Sequence, residues 1–237
     1  MKDNIALIID TNSNYSDVWP PCFGRLDQYA SGIKKYAFTD TTKDIPANIV
    51  PITYDNNVSY RNQFLSCIEQ VKEKYIIYTS EDYYLYDFVQ QKKIEEISEA
   101  LDNTEYSFCK FIKGPEKVDH FKDDLYIIDF DSPNLFAQQA SLWDTRAFES
   151  VFRTAPSENG RMQHEPNGGD YCRQLGIRGL LHYGGTPKRG IHHYDSNIYP
   201  CIATAVVKGQ WNLSEYPNEM KSIIDEFNID CRIRGWR

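Results

Sequence analysis

Short apolar runs divide the first half of the chain, and each run is followed by polar residues. They cover residues 4–10 (NIALIID), 34–40 (KKYAFTD), 48–55 (NIVPITYD) and 75–80 (YIIYTS). Continuous apolar runs of about four to eight residues are typical of strands that are buried on both faces. We therefore predict four strands here, and Pro51 places the third of them at a sheet edge or a bulge.

Between these runs the spacing of apolar residues changes to that of an amphipathic helix. Residues 59–74 and 87–103 each place apolar side chains on one helical face, with Ser59 as a candidate N-cap of the first helix. Strands that alternate with helices are typical of an α/β domain, in which helices flank a mostly parallel central sheet. The pattern therefore predicts the α/β fold class.

The second half of the chain contains the same kinds of segment in a less regular order. The pattern predicts strands over 106–112 and 125–131, helices over 142–153, 169–177 and part of 215–230, and polar loops over 154–169 and 183–200. The stretch 11–24, which follows the first strand, is also predicted to be a loop. No repeat or interdomain linker interrupts the chain, so we predict a single domain over 1–237.

Charge and cysteine content narrow the possible functions. The 237 residues carry a formal net charge of -8 with no basic block, which argues against binding of nucleic acid. No apolar stretch is long enough to span a bilayer, and the N-terminus lacks the pattern of a signal peptide. The six cysteines are scattered without a CxxC pair, so a common zinc site is not expected. We expect a cytoplasmic protein with free thiols and no integral membrane segment.

Acidic side chains follow several of the predicted strands. Asp10, Asp40, Asp55 and the pair Glu81–Asp82 each end or follow an apolar run. Ligands of open α/β sheets bind outside the carboxyl ends of the strands, so we expect these acids to converge on one edge. Carboxylates there can hold Mg²⁺ or Mn²⁺, with substrate phosphates completing the coordination. The alternative for Glu81–Asp82 is a strand-end turn with solvated acids.

The order of elements around these acids resembles the nucleotide-binding half of GT-A glycosyltransferases. The likeness rests on NIALIIDTNSNYSDVW, the helix RNQFLSCIEQV and the strand YIIYTSEDYYLYD, and it continues into PNLFAQQASLWDTRAFESVFR (133–153). In that family an Asp-any-Asp motif joins a metal to the diphosphate of a nucleotide sugar. Here the motif reads Ser80-Glu81-Asp82-Tyr83, a variant, so the divalent metal (Mn²⁺ or Mg²⁺) remains open. The resemblance implies a nucleotide-binding half (1–103) and an acceptor-side half (104–237).

The resemblance also implies where the donor binds. In this fold the nucleobase lies over the first strand and its loop, which brings in Asp10, Thr11 and Asn12, with Tyr15 or Trp19 available for stacking; Arg61 at the start of the next helix could reach a phosphate. Lys188 and Arg189 lie in the Gly-rich stretch GGTPKRGIHHYD, where they could stabilise a diphosphate leaving group. His192 and His193 in the same loop are candidate metal ligands beside Asp82. Each of these residues also has an ordinary structural interpretation, as a solvated or core side chain.

On the acceptor side, an inverting reaction needs a base that deprotonates the acceptor hydroxyl. The resemblance favours Glu165 in MQHEPNGGD, and Asp170 is the second candidate; either acid could instead solvate the loop, and Asp170 could cap a helix. Trp143 and Tyr171 are candidates for stacking on a sugar, although Trp143 is equally consistent with the core.

The predicted function is transfer of a sugar from a nucleotide-sugar donor to a carbohydrate or glycoconjugate acceptor. One alternative is a nucleotidyltransferase, which usually has a basic Gly-rich loop after the first strand that TNSNYSDVWPPCFGR lacks. The other is a non-catalytic binding protein of the same fold. Whether Asp82 and Glu165 face one cleft distinguishes an enzyme from a binding protein.

Overall fold

A computed structural model describes residues 3–156, 161–190 and 193–237, and for residues 161–163 it describes the backbone alone. Strands and helices alternate through the first half, as the apolar pattern predicts. The strands are β1 (Ile5–Asp10), β2 (Lys34–Thr39), β3 (Val50–Thr53), β4 (Tyr75–Ser80), β5 (Tyr84–Leu85), β6 (Tyr106–Lys110), β7 (Val118–Lys122), β8 (Leu125–Ile128), β9 (Ser141–Asp144), β10 (Arg178–His182), β11 (Cys201–Ile202), β12 (Val206–Val207) and β13 (Gln210–Trp211).

Helices flank these strands on both sides. They are α1 (Trp19–Tyr29), α2 (Tyr60–Ile68), α3 (Gln91–Asp102), α4 (Thr145–Thr154), α5 (Arg161–Leu175) and α6 (Pro217–Phe227), and a 3₁₀ helix (Ser13–Val18) precedes α1. None of the helices in the described part of the chain is both long and apolar enough to cross a bilayer.

One nine-stranded sheet organises the molecule, in the order β3-β2-β1-β4-β9-β6-β10-β8-β7. The strands β3, β2, β1 and β4 are parallel neighbours, and so are β6 and β10, whereas β9 and β8 run against their neighbours. Most strands therefore point the same way, and the mostly parallel α/β sheet predicted from the sequence is confirmed. Two small antiparallel pairs, β5 with β11 and β12 with β13, lie outside this sheet.

The alternation of side chains along β1 explains the two layers of helices. Ile5, Leu7 and Ile9 point into one core with α1, α3 and α6, while Ala6 and Ile8 point into the other with α2, α4 and α5. All six residues of β1 are buried, as are all six of β4. This double burial is why these strands appear in the sequence as unbroken apolar runs.

The segment 142–153, predicted to be one helix, is a strand followed by a helix. Leu142 and Trp143 pair with both β4 and β6, and α4 begins only at Thr145. Asp144 sets that start, because its Oδ1 accepts hydrogen bonds from the backbone N–H groups of Arg146 and Ala147 at 3.0 and 2.9 Å. The apolar residues of β9 fit the spacing of a strand as well as that of a helix. Only the pairing of β9 with strands distant in sequence determines that it is a strand.

Two predicted loops contain helices. The stretch 11–24 forms the 3₁₀ helix and the beginning of α1. Pro20 and Pro21 lie in the first turn of α1, where helices tolerate proline. The predicted loop over 154–169 contains the first half of α5, although Pro166 lies inside that helix. Gly168 allows α5 to pack closely, because a Cβ there would lie 2.2 Å from the ring of Phe136. Pro and Gly are typical of loops, and their presence inside these helices is why the sequence pattern misled.

Candidate functional site

A cleft of about 560 Å³ lies at the edge of the sheet where β1 and β4 end. Ser80, Glu81, Asp82 and Tyr83 form one wall of it, and they follow β4 without a break. Ser80 pairs in register with Asp10, so the ends of the two central strands meet beside the cleft. This is the position at which open α/β sheets bind their ligands.

The chain after Asp82 is anchored so that the two acids stay at this edge. The backbone N–H of Tyr83 donates to the carbonyl of Ser80 at 3.2 Å, which turns the chain sharply. Tyr84 and Leu85 are then completely buried and pair with β11. Glu81 is 4 % exposed and Asp82 is half-buried. The aromatic residues after the acids thus serve mainly to fix the turn that presents them.

Glu165 lines another part of the same cleft, together with Pro166 and Gln138. Its Oε1 accepts a hydrogen bond from the backbone N–H of Gln138 at 2.9 Å, and its side chain is exposed. The side-chain amide of Gln138 donates to the hydroxyl of Tyr60, also at 2.9 Å, and Tyr60 donates to Asp10. This chain of hydrogen bonds connects the wall that carries Glu165 to the end of β1.

The third wall comes from a hairpin late in the sequence. Val206, Lys208 and Gly209 line the cleft, and Lys208 and Gly209 form the turn between β12 and β13 with φ of 53° and 78°. Two successive residues with positive φ are typical of the tight turns that close β-hairpins. Among the described residues that line the cleft, Lys208 carries the positive charge, and Glu81, Asp82 and Glu165 carry the negative charges.

Tyr15 closes the cleft from the loop after β1. The guanidinium of Arg234 lies over its ring, 5.0 Å from the centroid, and makes two bonds of 2.5 Å to the carboxylate of Asp17. The same guanidinium reaches the carbonyl of Gly209 at 3.4 Å. Residues near the C-terminus therefore join the loop after β1 to the hairpin turn that carries Lys208.

The acids give the cleft a negative field that reaches neighbouring groups. Burial raises the pKa of the Tyr83 hydroxyl well above its ordinary value, and the charges of Asp82 and Glu165 add to that rise. Burial likewise raises the pKa of the Cys22 thiol, with Glu81 and Asp82 contributing. Tyr83 therefore stays protonated, and Cys22 is an inert buried thiol.

The predicted nucleobase residues lie beside this cleft and hold the loop after β1. Asp10 is buried and accepts hydrogen bonds from Tyr60 and Tyr78 at 2.8 and 3.1 Å. The hydroxyl of Thr11, also buried, accepts from the indole N–H of Trp19 at 2.7 Å. Trp19 is thereby fixed in the core.

Asn12 begins the 3₁₀ helix, and its Oδ1 accepts from the backbone N–H of Asn14. The strand ends around it do converge: Asn56 accepts from Asn12 and donates to Asp40 at 2.9 Å. Ser13 also donates to Asp40, and these bonds hold the pKa of Asp40 below its usual value despite the partial burial that opposes this.

Arg61 is not brought to the cleft. Its Nε and one terminal nitrogen donate to the carbonyls of Phe152 and Arg153, at 3.1 and 2.9 Å. These carbonyls belong to the last turn of α4, where helices leave acceptors unpaired. The structure thus places Arg61 as a cap of α4 and not beside Glu81 and Asp82.

The described residues of the Gly-rich loop, 183–190 and 193–195, are also not among those that line the cleft. Lys188 is exposed, and its backbone forms an isolated β-bridge with Tyr194. Neither Lys188 nor Arg189 is among the described residues that line the cleft. Arg189 pairs with Glu219 at 2.6 Å and Asp195 at 3.6 Å and lies over the ring of Tyr216. Burial disfavours its charge, but the two acids hold the pKa of Arg189 above its ordinary value.

The two histidines expected to join Asp82 in a metal site have to be considered separately. His193 is buried, and its Nε2 lies 3.1 Å from the hydroxyl of Tyr216. His192 lies outside the described residues. Within the described part of the chain, no three His, Cys, Asp or Glu side chains group so as to hold a metal. Glu81 and Asp82 still offer carboxylate oxygens, so a divalent ion there would need further ligands from a diphosphate and water.

The remaining candidates lie on α5 and β9. Asp170 is exposed and pairs with Arg173 at 2.5 Å, and it is not among the described residues that line the cleft. Trp143 is 1 % exposed and stacks on Phe108 at 4.1 Å, so the structure corrects its expected role in acceptor binding: its ring offers no surface to an acceptor. Tyr171 lies on α5, is half-buried and packs against the core. The centroid of its ring is 6.0 Å from that of His164.

The sequence interpretation missed Gln138 and Lys208 as lining residues. Gln138 belongs to an irregular stretch between β8 and β9, where no pattern marks it. Lys208 does carry a signal, because Lys-Gly stands between Val-Val and Gln-Trp, a tight turn between two short β segments. That signal predicts a hairpin, but it does not say which part of the molecule the hairpin covers.

Comparison with known proteins identifies the fold. No protein-family model matches the chain, and no curated protein is significantly similar to it in sequence. The structure is similar to residues 1–349 of TarS from S. aureus, a GT-A-like glycosyltransferase, in complex with UDP (TM-score 0.54, 11% identity, covering 81% of this chain and 60% of that one). For the same fragment in complex with UDP-GlcNAc the TM-score is 0.53 at 9% identity, covering 94% and 65%.

Against a longer TarS chain the TM-score is 0.51 at 9% identity, covering 94% of this chain and 39% of that one. This chain thus spans less than two thirds of the length of the TarS chains that it matches. At this level of identity the likeness concerns the fold, and it agrees with the resemblance that the motifs indicated. The chain has the GT-A-like fold.

Proposed function

We propose that this protein is a glycosyltransferase that moves a sugar from a nucleotide-sugar donor to a carbohydrate or glycoconjugate acceptor. The observation that carries the proposal is that Glu81, Asp82 and Glu165 line one cleft at the carboxyl ends of the parallel strands. An acidic pair can anchor a metal and its diphosphate, and a further carboxylate in the same cleft can act as a base; a protein that only binds a ligand requires neither role. The GT-A-like fold and the UDP and UDP-GlcNAc complexes of TarS support a nucleotide-sugar donor.

The roles follow from the positions in the cleft. Glu165 is exposed and lines the same cleft as Asp82, and it accepts the proton of the acceptor hydroxyl. The acceptor oxygen forms a bond to the anomeric carbon as the bond from that carbon to the diphosphate oxygen breaks, with inversion at the carbon. The products are a glycoside and a nucleoside diphosphate, which takes the electron pair of the broken bond.

The negative charge that develops on the diphosphate needs a counter-charge. Glu81 and Asp82 would hold Mg²⁺ or Mn²⁺, which neutralises that charge as a Lewis acid when bound. Lys208 is the cation on the opposing hairpin and contributes electrostatically. We assign this role to Lys208 in place of Lys188 and Arg189, because it lines the cleft and they are not among the residues that do.

Thermal unfolding with a panel of nucleotides tests the donor site. UDP, GDP, CDP and their sugar conjugates are added with and without Mn²⁺. A ligand at one hundred times its Kd stabilises the protein by about 2.7 kcal/mol, or roughly 5–10 °C for a chain of this size. We expect such a shift with one nucleotide, and its loss in Asp82→Ala.

Asp119→Ala is the matched control, because Asp119 is an exposed acid on β7 at the far edge of the sheet. It should retain the full shift. A shift that does not need Mn²⁺ would assign the counter-charge to Lys208 alone. If no nucleotide shifts the wild-type transition, the glycosyltransferase proposal fails and a non-catalytic protein of the same fold replaces it.

A further inference from the structure

Residues 231–237 (CRIRGWR), which we call the terminal segment, lie beside β13. The backbone N–H of Trp211 donates to the carbonyl of Gly235 at 3.1 Å, and the N–H of Arg237 donates to the carbonyl of Trp211 at 3.0 Å. Trp211 and Trp236 thereby form an isolated parallel β-bridge. The terminal segment therefore adds backbone hydrogen bonds to the hairpin of β12 and β13.

This hairpin is too short to hold its own turn firmly. The strands β12 and β13 have two residues each and pair at two positions. A two-stranded hairpin is at best marginally stable in water without further packing. Lys208 and Gly209 in its turn are exposed, and both line the cleft. The position of the Lys208 charge therefore depends on contacts from outside the hairpin.

Arg234 of the terminal segment supplies such contacts. Its Nε and one terminal nitrogen donate to the two carboxylate oxygens of Asp17, both at 2.5 Å, and its other terminal nitrogen donates to the carbonyl of Gly209 at 3.4 Å. The guanidinium also lies over the ring of Tyr15, 5.0 Å from the centroid. We call this set of contacts the Arg234 junction. It joins the loop after β1 to the hairpin turn.

The chemistry of the junction is specific to arginine. The side chain of Arg234 is 13% exposed and that of Asp17 is 37% exposed, so the pair is largely removed from water. A forked contact between a guanidinium and a carboxylate is stronger and more directional than a single exposed ion pair. A lysine ammonium cannot form this fork and stack on a ring at the same time. The junction therefore fixes an orientation as well as a distance.

The junction lies behind the cleft and not in it. Neither Arg234 nor Asp17 is among the described residues that line the cleft, whereas Tyr15, Lys208 and Gly209 are. Any effect of Arg234 on a ligand in the cleft must therefore pass through the residues that it holds. Loops that are already fixed in their binding positions do not have to be ordered when a ligand binds, and this raises affinity.

We propose that Arg234 is a positioning residue of the nucleotide site, which fixes Tyr15 and the Lys208 turn relative to one another before the nucleotide binds. The inference rests on the proposed function and adds a residue outside the cleft that sets its affinity. The chemical step itself does not involve Arg234. Its loss should therefore weaken binding of the nucleotide and leave turnover at saturating nucleotide sugar unchanged.

Calorimetric titration of the full chain with UDP, GDP and CDP tests the proposal. Arg234→Met keeps the unbranched stem of the side chain and removes the charge and the donors. We expect the Kd of the nucleotide that binds wild type to rise about tenfold. The KM of its sugar conjugate, measured by release of nucleoside diphosphate, should rise by a similar factor while kcat stays within about twofold. A residue that only stabilised the fold would lower the melting temperature and leave Kd and KM unchanged.

Three further variants make the result specific. Arg232→Met is the matched control, because Arg232 lies in the same segment but is exposed and pairs with Asp230, and it should leave Kd and KM unchanged. Arg234→Lys restores the charge without the fork, so its Kd should lie between those of wild type and Arg234→Met. Asp17→Asn weakens the junction from its other end, and it serves as the test if Arg234→Met does not fold.

Combining the two ends of the junction gives a second test. Asp17→Asn and Arg234→Met remove the same contact, so the double variant should bind the nucleotide no more weakly than Arg234→Met alone. Effects that multiply would overturn the proposal, because they would show that the two residues act independently. A Kd within twofold of wild type in both single variants would overturn it as well.

Hydrogen exchange without any nucleotide separates positioning from direct contact. Amides of residues 13–18 and 206–211 should exchange faster in Arg234→Met than in wild type, and should be unchanged in Arg232→Met. A weaker Kd with unchanged exchange would overturn the positioning role, because Arg234 would then act through its own charge on the ligand. If UDP, GDP and CDP all fail to bind wild type, the proposed function itself is contradicted, whatever the exchange rates show.

Discussion

Two polar clusters carry most of the charge that the sequence offered for catalysis, and the structure gives them opposite roles. The acids Glu81, Asp82 and Glu165 line a cleft about 560 Å³ in volume. In the Gly-rich loop, by contrast, Arg189 is paired with Glu219 and Asp195, and His193 contacts Tyr216. The acids line a cleft, while Arg189 and His193 are bonded to side chains of α6 and of the residue that precedes it.

This difference shows that the type of a residue does not by itself determine whether its charge can interact with a ligand. Arg189 is 30 positions from Glu219 in sequence, and only folding shows that the two are 2.6 Å apart. A cation that is already bonded to carboxylates contributes stability, and it would have to break those bonds to reach a phosphate. Lys208, on an exposed turn, is the positively charged side chain among the described residues that line the cleft with the acids.

The largest effect is expected at Glu165. Glu165→Gln removes the base but keeps an oxygen for the N–H of Gln138, so the fold and the donor site should persist. Loss of a general base reduces turnover by about 10²–10⁴-fold. The measurement is release of nucleoside diphosphate from the nucleotide sugar that binds, with Kd followed in parallel and expected to change less than twofold.

Asp170→Asn is the control on the same helix, since Asp170 is exposed and paired with Arg173. It should retain turnover within about twofold. The reverse result, an active Glu165→Gln and an inactive Asp170→Asn, would transfer the role of base to Asp170 and would contradict the assignment of the cleft.

A smaller and different effect is expected in the loop. Arg189→Gln removes hydrogen-bonded ion pairs that are partly screened by solvent, so unfolding should become easier by roughly 1–2 kcal/mol. Chemical or thermal unfolding measures this change. The Kd of the nucleotide should stay within twofold; a weakened Kd with unchanged stability would show that the loop serves the donor after all.

The smallest effect is expected at Lys208. Lys208→Asn removes the charge and suits the positive φ of the turn, because asparagine tolerates that backbone region. Loss of one exposed counter-charge should raise the Kd of UDP about five- to tenfold, with less effect at high salt. Lys188→Asn, in the Gly-rich loop, is the matched comparison and should have no effect. Equal effects of the two variants on the Kd of UDP would contradict the assignment of the nucleotide to the cleft and not to the Gly-rich loop.

The parallel strands and the helices between them were predictable because their burial is visible in local sequence. The observed β1, β2 and β4 lie within the predicted runs at 4–10, 34–40 and 75–80, and α2 and α3 lie within the predicted helices. The presence of Glu81 and Asp82 at a strand end followed directly from this. Where local signals conflict with packing, as with Pro166 inside α5, the prediction was wrong.

The site was only partly predictable, and Trp143 and Glu165 show why. An aromatic residue after an apolar strand suits both a core and a sugar platform, and the ring of Phe108, stacked on Trp143 at 4.1 Å, places it in the core. Glu165 was expected in a loop and lies on a helix, yet it still reaches the cleft. Its position depends on Gln138, which no periodicity marks.

The sequence by itself determined the α/β class, the buried central strands and the acidic pair at the end of β4, because each depends on neighbours along the chain. The tertiary structure decided which charges come together: Glu165 and Lys208 line the cleft with Asp82, and Arg189 pairs with Glu219. Those pairings join residues far apart in sequence. Their energies depend on distance and burial in the folded molecule, which the order of residues does not specify.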